Sequence, residues 1–295
     1  VRWIPSLYLI GPDGKVLVST VLSYKIENML YKNFVESAAL PFYGKYDTIT
    51  IDGSKGKLWA RLYKPELKTG QRCDLVILCH GLNCDHDFPL MRRIAYYLEN
   101  DFAVLEFDFN GHGKSEGKFV DMTIANEMED LEQVLAYAQD LRFVDDIALV
   151  GHSQGAVVAA MVAGKHPDDI KAVVLLAPAS SVRDDVVRGN LFGIDFDPLD
   201  MPDSLVLNNG IALGYRYLKT ASTLPIFETA ANFHGNICII HGNADRLVPY
   251  TCSEHFHQTW TNSEFHLLNY YDHNFTVCPY RPAEITTEFL QRVMR

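Results

Sequence analysis

Between residues 75 and 177 the chain alternates two apolar patterns. Leu75-Val76-Ile77-Leu78-Cys79, Ala103-Val104-Leu105-Glu106-Phe107, Ile147-Ala148-Leu149-Val150 and Ala172-Val173-Val174-Leu175-Leu176-Ala177 are short, nearly continuous apolar runs. Strands buried on both faces read this way. Between them Leu90, Ile94, Tyr97 and Leu98, then Ile124, Met128, Leu131, Leu135 and Ala138, then an Ala/Val-rich stretch after residue 153, mark helices. Pro89 suits the first turn of the earliest of these. The alternation predicts an α/β fold with a mostly parallel, doubly wound sheet and right-handed crossovers. Ligands of such sheets bind beyond the carboxyl ends of the strands. Upstream, Tyr46, Ile49 and Ile51 and then Leu58, Ala60 and Leu62 alternate around Gly53 and Gly56. That predicts an antiparallel hairpin opening the same sheet. Downstream, Ile237-Cys238-Ile239-Ile240 and Phe265-His266-Leu267-Leu268 read as the last strands, and Ile285, Phe289 and Val293 as a closing helix.

The rhythm fails in two places. From about 179 to 234 the pattern is irregular, with Pro198, Pro202 and Pro225, six aspartates and several aromatics. An insertion after a strand whose end faces the ligand edge predicts a cap over that edge. Residues 1–40 form an extension before a main domain at 41–295. Leu7-Tyr8-Leu9-Ile10 and Val16-Leu17-Val18 flank Gly11-Pro12-Asp13-Gly14, predicting a hairpin, and Ile26, Leu30 and Phe34 fall at helical spacing. This hairpin resembles the tail of a thioredoxin-like domain, without that domain's redox cysteines.

The stretch Ile147-Ala148-Leu149-Val150-Gly151-His152-Ser153-Gln154-Gly155 carries the chemistry. It reads as strand, tight turn and helix with Ser153 at the apex, the G-x-S-x-G nucleophile elbow. The turn presents the hydroxyl and aims the backbone N–H of Gln154 at the attacked atom, beside a positive helix N-terminus. A serine needs a base, and the base a carboxylate that fixes its tautomer. In the order serine, acid, histidine, His273 follows the last predicted strand and Asp245 the one before it. Asp272 competes as the acid, but adjacent residues direct their side chains differently, so Asp245 is preferred; Asp184 and Asp185 are outsiders in the insertion. The oxyanion needs a second donor, and the N–H of Leu82, after His80-Gly81 at a neighbouring strand end, is the natural one. His80, Asp108 and Gly111-His112-Gly113 read as turn-shaping residues. His255, His257 and His266 lack a carboxylate or cysteine at ligand spacing, so no metal is expected. Asn274-Phe275-Thr276 matches the glycosylation triplet, but a glycan would crowd the candidate histidine.

Composition narrows the partners. The 295 residues are 48% hydrophobic and carry a formal net charge of −11, enough for one large domain. The acidic balance argues against nucleic acid, which needs a basic patch. No apolar run spans a bilayer. The six cysteines show no C-x-x-C or zinc spacing, and Cys79 and Cys238 read as buried thiols. No leader pattern opens the chain, which leaves a cytoplasmic and a processed, exported location both open. The oligomeric state is open, a dimer included.

His80-Gly81-Leu82-Asn83, the run from Phe107 to Phe119, Gly151-His152-Ser153-Gln154-Gly155 and Val248-Pro249-Tyr250 together resemble the α/β-hydrolase superfamily, and most nearly its bacterial cinnamoyl (feruloyl) esterases. The resemblance covers about residues 46–295, including Gly193-Ile194-Asp195-Phe196-Asp197-Pro198. It implies an eight-stranded-type sheet with a small cap after the sixth strand, and a serine esterase that needs no cofactor. Such an enzyme releases hydroxycinnamic acids from plant cell-wall esters. It also implies Ser153, Asp245 and His273 as the triad and Leu82 and Gln154 as oxyanion donors. Leu82 departs from the family's usual aromatic, Ala156 from a second glycine and Asn274 from a glycine; the first and last border the acyl pocket. A short-chain acyl esterase, a monoacylglycerol lipase or a peptidase of the same fold are the rival activities. A non-catalytic binding protein on this scaffold is the rival of another class, opposed by a competent residue at every catalytic position. The expected partner is a small-molecule or oligosaccharide ester.

Overall fold

The computed structural model describes residues 7–10, 16–20 and 46–294. The strands β1 (Leu7–Ile10) and β2 (Val16–Thr20) pair antiparallel as a separate ladder. The helix expected over Ile26 to Phe34 lies outside the described residues.

The sheet forms from runs that are buried on both faces. It opens with β3 (Tyr46–Gly53) and β4 (Gly56–Tyr63), continues through β5 (Cys73–Cys79), α1 (Pro89–Leu98), β6 (Ala103–Phe107), α2 (Ile124–Gln139), β7 (Val144–His152), α3 (Gln154–Lys165) and β8 (Ala172–Leu176). An insertion follows: α4 (Val182–Arg188), the hairpin β9 (Asn190–Leu191) and β10 (Ile194–Asp195), the hairpin β11 (Ser204–Val206) and β12 (Ala212–Gly214), α5 (Tyr215–Ala221) and α6 (Ile226–Ala230). The core then resumes with β13 (Asn236–Gly242), α7 (Thr251–Thr259), β14 (Glu264–Leu268) and α8 (Tyr280–Val293). The eight strands lie in the order β14-β13-β8-β7-β5-β6-β4-β3. The hairpin β3/β4 and its junction with β6 are antiparallel and the rest is parallel.

Side chains two apart share a face of a strand. Leu75, Ile77 and Cys79 of β5 accordingly join Leu149, Val173, Leu175 and Ile239 in a core under α2 and α3. Val76 and Leu78 join Ala148, Val150, Val174 and Ile240 in a second core under α1 and α8. Both faces are covered, which is why the strands read as continuous apolar runs rather than alternating ones. The helix α3 is buried from Gln154 to Gly164, sandwiched between the sheet, α2 and α6.

Register aligns the strand ends. Cys79 sits opposite Gly151, His152 opposite Leu176, Leu176 opposite Ile240, and Gly242 opposite Leu268. The chain therefore leaves β5, β7, β8, β13 and β14 along one edge, carrying His80-Gly81-Leu82, Ser153, Ala177, the segment to Asp245 and the segment to His273 out on the same rim.

Candidate active site

The strand β7 and the helix α3 meet at Ser153, whose backbone has φ 55° and ψ −119°. A side chain in that left-handed region is strained and persists only where its surroundings hold it. Here the Ser153 N–H donates to Leu176 O at 2.9 Å, and Ser153 O accepts from Ala179 N at 3.1 Å. The flanking glycines follow from close approach. A Cβ on Gly155 would lie 2.2 Å from His80 O, and one on Gly151 would lie 2.4 Å from Gly155 O. Backbone, not a flexible side chain, blocks both. Gly155→Ala should therefore force β5 and α3 apart and destabilise the fold by about 3 kcal/mol, the upper range for overpacking. Thermal unfolding by circular dichroism checks this, and an unchanged midpoint would contradict it.

Residues from three strand ends converge. Ser153 Oγ lies 2.8 Å from His273 Nε2, and His273 Nδ1 lies 2.7 Å from Asp245 Oδ2. A carboxylate facing Nδ1 places the ring proton there and leaves the Nε2 lone pair for the Ser153 hydroxyl. Ser153 and His273 are both buried, each 8% exposed. Asp245 has four donors. The N–H groups of Leu247 and Val248 reach Oδ1 at 2.8 and 2.9 Å, and His241 Nε2 reaches Oδ2 at 3.1 Å beside His273. Burial alone would push the Asp245 carboxyl up. Its bonds from His241 and His273, the His273 charge and the Val248 N–H outweigh burial and hold it well below the usual carboxylate range.

Two histidines that the sequence reading passed over hold this line in place. His241 Nε2 faces both Asp245 and Val248 O, so it carries a proton, while Nδ1 faces Ser253 Oγ at 2.7 Å. The i, i+4 spacing from the end of β13 to Asp245 was its only trace in the sequence. His152, immediately before Ser153, donates from Nε2 to His273 O at 2.9 Å and stacks on Phe88. Burial lowers its basicity to a pKa of about 3, so it stays neutral and tethers the His273 loop.

The N–H groups of Leu82 and Gln154 have no acceptor among the described residues, and both residues line the cavity at Ser153. The other singled-out residues lie elsewhere. Asp272 accepts from the N–H and hydroxyl of Thr276, while the carboxylate at the His273 ring is that of Asp245. Asp185 pairs with Arg188. His80 Nε2 accepts from Phe109 N at 3.1 Å. Asp108 accepts from His86 Nδ1 and from the N–H groups of His86 and Lys114, bracing the loops after β5 and β6. His255 stacks on Phe227, and His257 bonds Ser263 Oγ. Cys79 and Cys238 are buried thiols.

Two chambers meet at Ser153. The larger, about 660 Å³, lies on the Gln154 side beneath the insertion; Leu191, Phe192, Tyr217 and Phe227 line it, with Asp184, Asp185, Arg188 and His255 also on its wall. The smaller, about 450 Å³, lies on the His273 side and carries Asn83, Asn208, Asn209 and Asn274.

This sheet order, with a serine at a strand-to-helix turn facing a histidine and a buried carboxylate, defines a class of hydrolase. Residues 70–194 match the family described as serine aminopeptidase, S33. Est1E from Butyrivibrio proteoclasticus, with ferulic acid bound, is 31% identical with a TM-score of 0.79, over 83% of this chain and 98% of that one. A monoacylglycerol lipase of Mycolicibacterium smegmatis is 24% identical over 221 residues, 66% of this chain and 79% of the relative. The Pyrococcus furiosus esterase Pf2001 is 22% identical with a TM-score of 0.64, over 85% of this chain and 93% of that one, a likeness of fold. The chain belongs to the α/β-hydrolase superfamily. Within it the protein is a serine hydrolase of the esterase and lipase kind, and its likeness to Est1E agrees with the resemblance to bacterial cinnamoyl esterases.

Proposed function

We propose that the protein hydrolyses hydroxycinnamoyl or related aryl esters through an acyl-enzyme on Ser153. The unbroken line from Ser153 Oγ through His273 to Asp245 Oδ2, set where two chambers meet, carries the reading. Ser153 Oγ attacks the ester carbonyl as His273 Nε2 takes its proton. The oxyanion forms against the N–H groups of Leu82 and Gln154 and the N-terminus of α3. His273 then gives the proton to the departing alkoxide oxygen, and the ester C–O bond breaks. Water, deprotonated by His273, attacks the acyl-enzyme in the second half, and Ser153 regains its proton.

The proton path orients the substrate. The leaving oxygen must sit beside His273 Nε2, so the alcohol occupies the smaller chamber. Its asparagines offer amide donors and acceptors to a hydroxyl-rich alcohol such as a sugar. The acyl group then occupies the larger chamber. Aromatic and aliphatic side chains there suit a flat ring, and the polar groups suit ring hydroxyls. A long alkyl chain is a poorer occupant, because it would strip water from Asp184 and from the Asp185–Arg188 pair and offer no polar group in its place. This disfavours the lipase rival, and the ferulic acid held by Est1E supports the aryl reading.

A panel of methyl ferulate, p-nitrophenyl esters of rising acyl length and an aminoacyl amide tests it. Methyl ferulate is expected to exceed p-nitrophenyl decanoate in kcat/KM by at least about tenfold, the effect of leaving one buried polar group unpaired. Fast butyrate turnover with negligible methyl ferulate turnover would defeat the aryl assignment. A wild-type protein that a fluorophosphonate fails to label would favour a binding protein instead.

A further inference from the structure

Behind the elbow lies a buried polar chain that the reaction above does not use. Gln154 is the first residue of α3, and its side chain reaches between α2 and α5. Its Nε2 donates to Glu127 Oε2 of α2 at 2.7 Å, and its Oε1 accepts from the Tyr217 hydroxyl of α5 at 2.6 Å. Glu127, Gln154 and Tyr217 are all buried, Tyr217 completely. Polar groups in so dry a place are stabilising when satisfied and disruptive when one partner is lost. The chain joins three parts that the sequence keeps far apart: a helix under the sheet, the elbow, and the insertion over the larger chamber.

We infer that Glu127 and Tyr217 are positioning residues, which clamp the Gln154 side chain from opposite ends and thereby fix the backbone N–H that Gln154 turns toward the oxyanion. The inference rests on the proposed ester hydrolysis, in which that N–H receives the developing charge. With its terminal amide held at both Nε2 and Oε1 and the residue buried, the Gln154 side chain leaves its own backbone N–H little freedom to tilt. With the clamp gone, the first turn of α3 is free to adjust around Ser153, and the donor loses its aim. Losing an oxyanion donor outright lowers kcat by about 10²- to 10³-fold, so loosening one is expected to lower it by roughly tenfold.

Glu127 performs this as the uncharged acid. The titratable groups that face it are Asp130, one turn along α2, the Cys79 thiol of β5 and the Tyr217 hydroxyl of α5. None of them is a cation. Burial pushes its pKa up to about 8 against the lowering effect of the Gln154 bond, with the Asp130 charge adding to the rise. Above that pH a carboxylate appears behind the oxyanion site, opposing a second negative charge in a region of low dielectric. The clamp therefore carries its own alkaline limit.

The folded protein holds this proton where the unfolded chain, near the ordinary glutamate value, has lost it. Any stability difference between wild type and Glu127→Gln is therefore small below about pH 4.3, grows in favour of the variant between there and about pH 8, and levels off above it.

The test compares Glu127→Gln, Glu127→Ala and Tyr217→Phe with wild type and with Ser153→Ala, on one p-nitrophenyl ester between pH 6 and 10. Glu127 lines neither chamber, so its variants are expected to leave KM within about twofold. Wild-type kcat should fall on the alkaline side with a midpoint near pH 8. Glu127→Gln, an uncharged group of the same shape, should keep the neutral-pH kcat and lose that alkaline limb. Glu127→Ala should lose about tenfold in kcat at neutral pH and, having no carboxyl, also lack the alkaline limb, while Tyr217→Phe should lose several-fold. An alkaline limb unchanged in Glu127→Gln, or a folded Glu127→Ala with wild-type kcat, would overturn the clamp while Ser153→Ala remains dead. Hydrolysis surviving in Ser153→Ala would instead overturn the ester-hydrolase reading and the clamp with it.

Discussion

Ser153→Ala lowers kcat for any ester the protein cleaves by about 10⁶-fold, the scale on which serine hydrolases lose turnover with their nucleophile. Among the described residues, those lining both chambers are Leu82, Ser153, Phe192 and Leu247, and Ser153 alone of these carries a nucleophile. The hydroxyl is 2.8 Å from His273 Nε2, and the strained φ of 55° presents it there. The variant should fold as the wild type does, since the methyl of alanine occupies space the serine already fills. His273→Ala should lose nearly as much, and the double variant little more than either alone, because the two residues act as one unit. Residual turnover above about a thousandth of wild type in a purified Ser153→Ala sample would mean another group attacks. Loss of fluorophosphonate labelling in the same sample provides the second readout.

Asp245→Asn is expected to lower kcat by about 10⁴-fold with KM little changed. The reason lies in the four donors around this carboxylate. Leu247 and Val248 present N–H groups to Oδ1, so an asparagine would turn its carbonyl to them. Its NH₂ would then face His273 Nδ1 and His241 Nε2, both of which now donate. His273 would have to move its proton to Nε2, where it blocks acceptance from Ser153. The same variant carries a stability signature. The Asp245 carboxyl is held below its ordinary range in the fold, so its charge stabilises the protein above the unfolded value of about 3.9. That contribution is withdrawn as pH falls further. Denaturant unfolding should show the widest gap between wild type and Asp245→Asn at pH 7, narrowing steadily as pH falls below about 3.9. A gap that does not narrow below that pH would rule out this cause.

The sheet and the reactive line were legible because both obey local rules. A strand buried on both faces announces itself as an apolar run, as in Leu75 to Cys79. A sharp strand-to-helix turn demands small residues where His80 O and Ala156 press in. Chain order then offered His273 and Asp245 at the ends of late strands. The remainder depends on pairs that no local pattern links. Gln154 meets Tyr217 across 63 positions and Glu127 across 27, and a glutamate on an amphipathic helix reads as solvent-facing. His152 looked like the variable residue of a motif, although its ring holds the loop of His273. The insertion was visible only as a loss of rhythm. Its hairpins have strands of two and three residues, too short for a period of two to emerge.

Leu82, Ser153, Phe192 and Leu247 line both chambers. Space is therefore generous at either end of the bound molecule and scarce at its middle. A substrate suited to this shape is a dumbbell: broad head, slender waist at the bond that breaks, broad tail. On the proposed reading, selection acts on girth beside the carbonyl more than on total size, so a quaternary carbon next to the scissile bond would be turned away where a bulky but distant group is admitted.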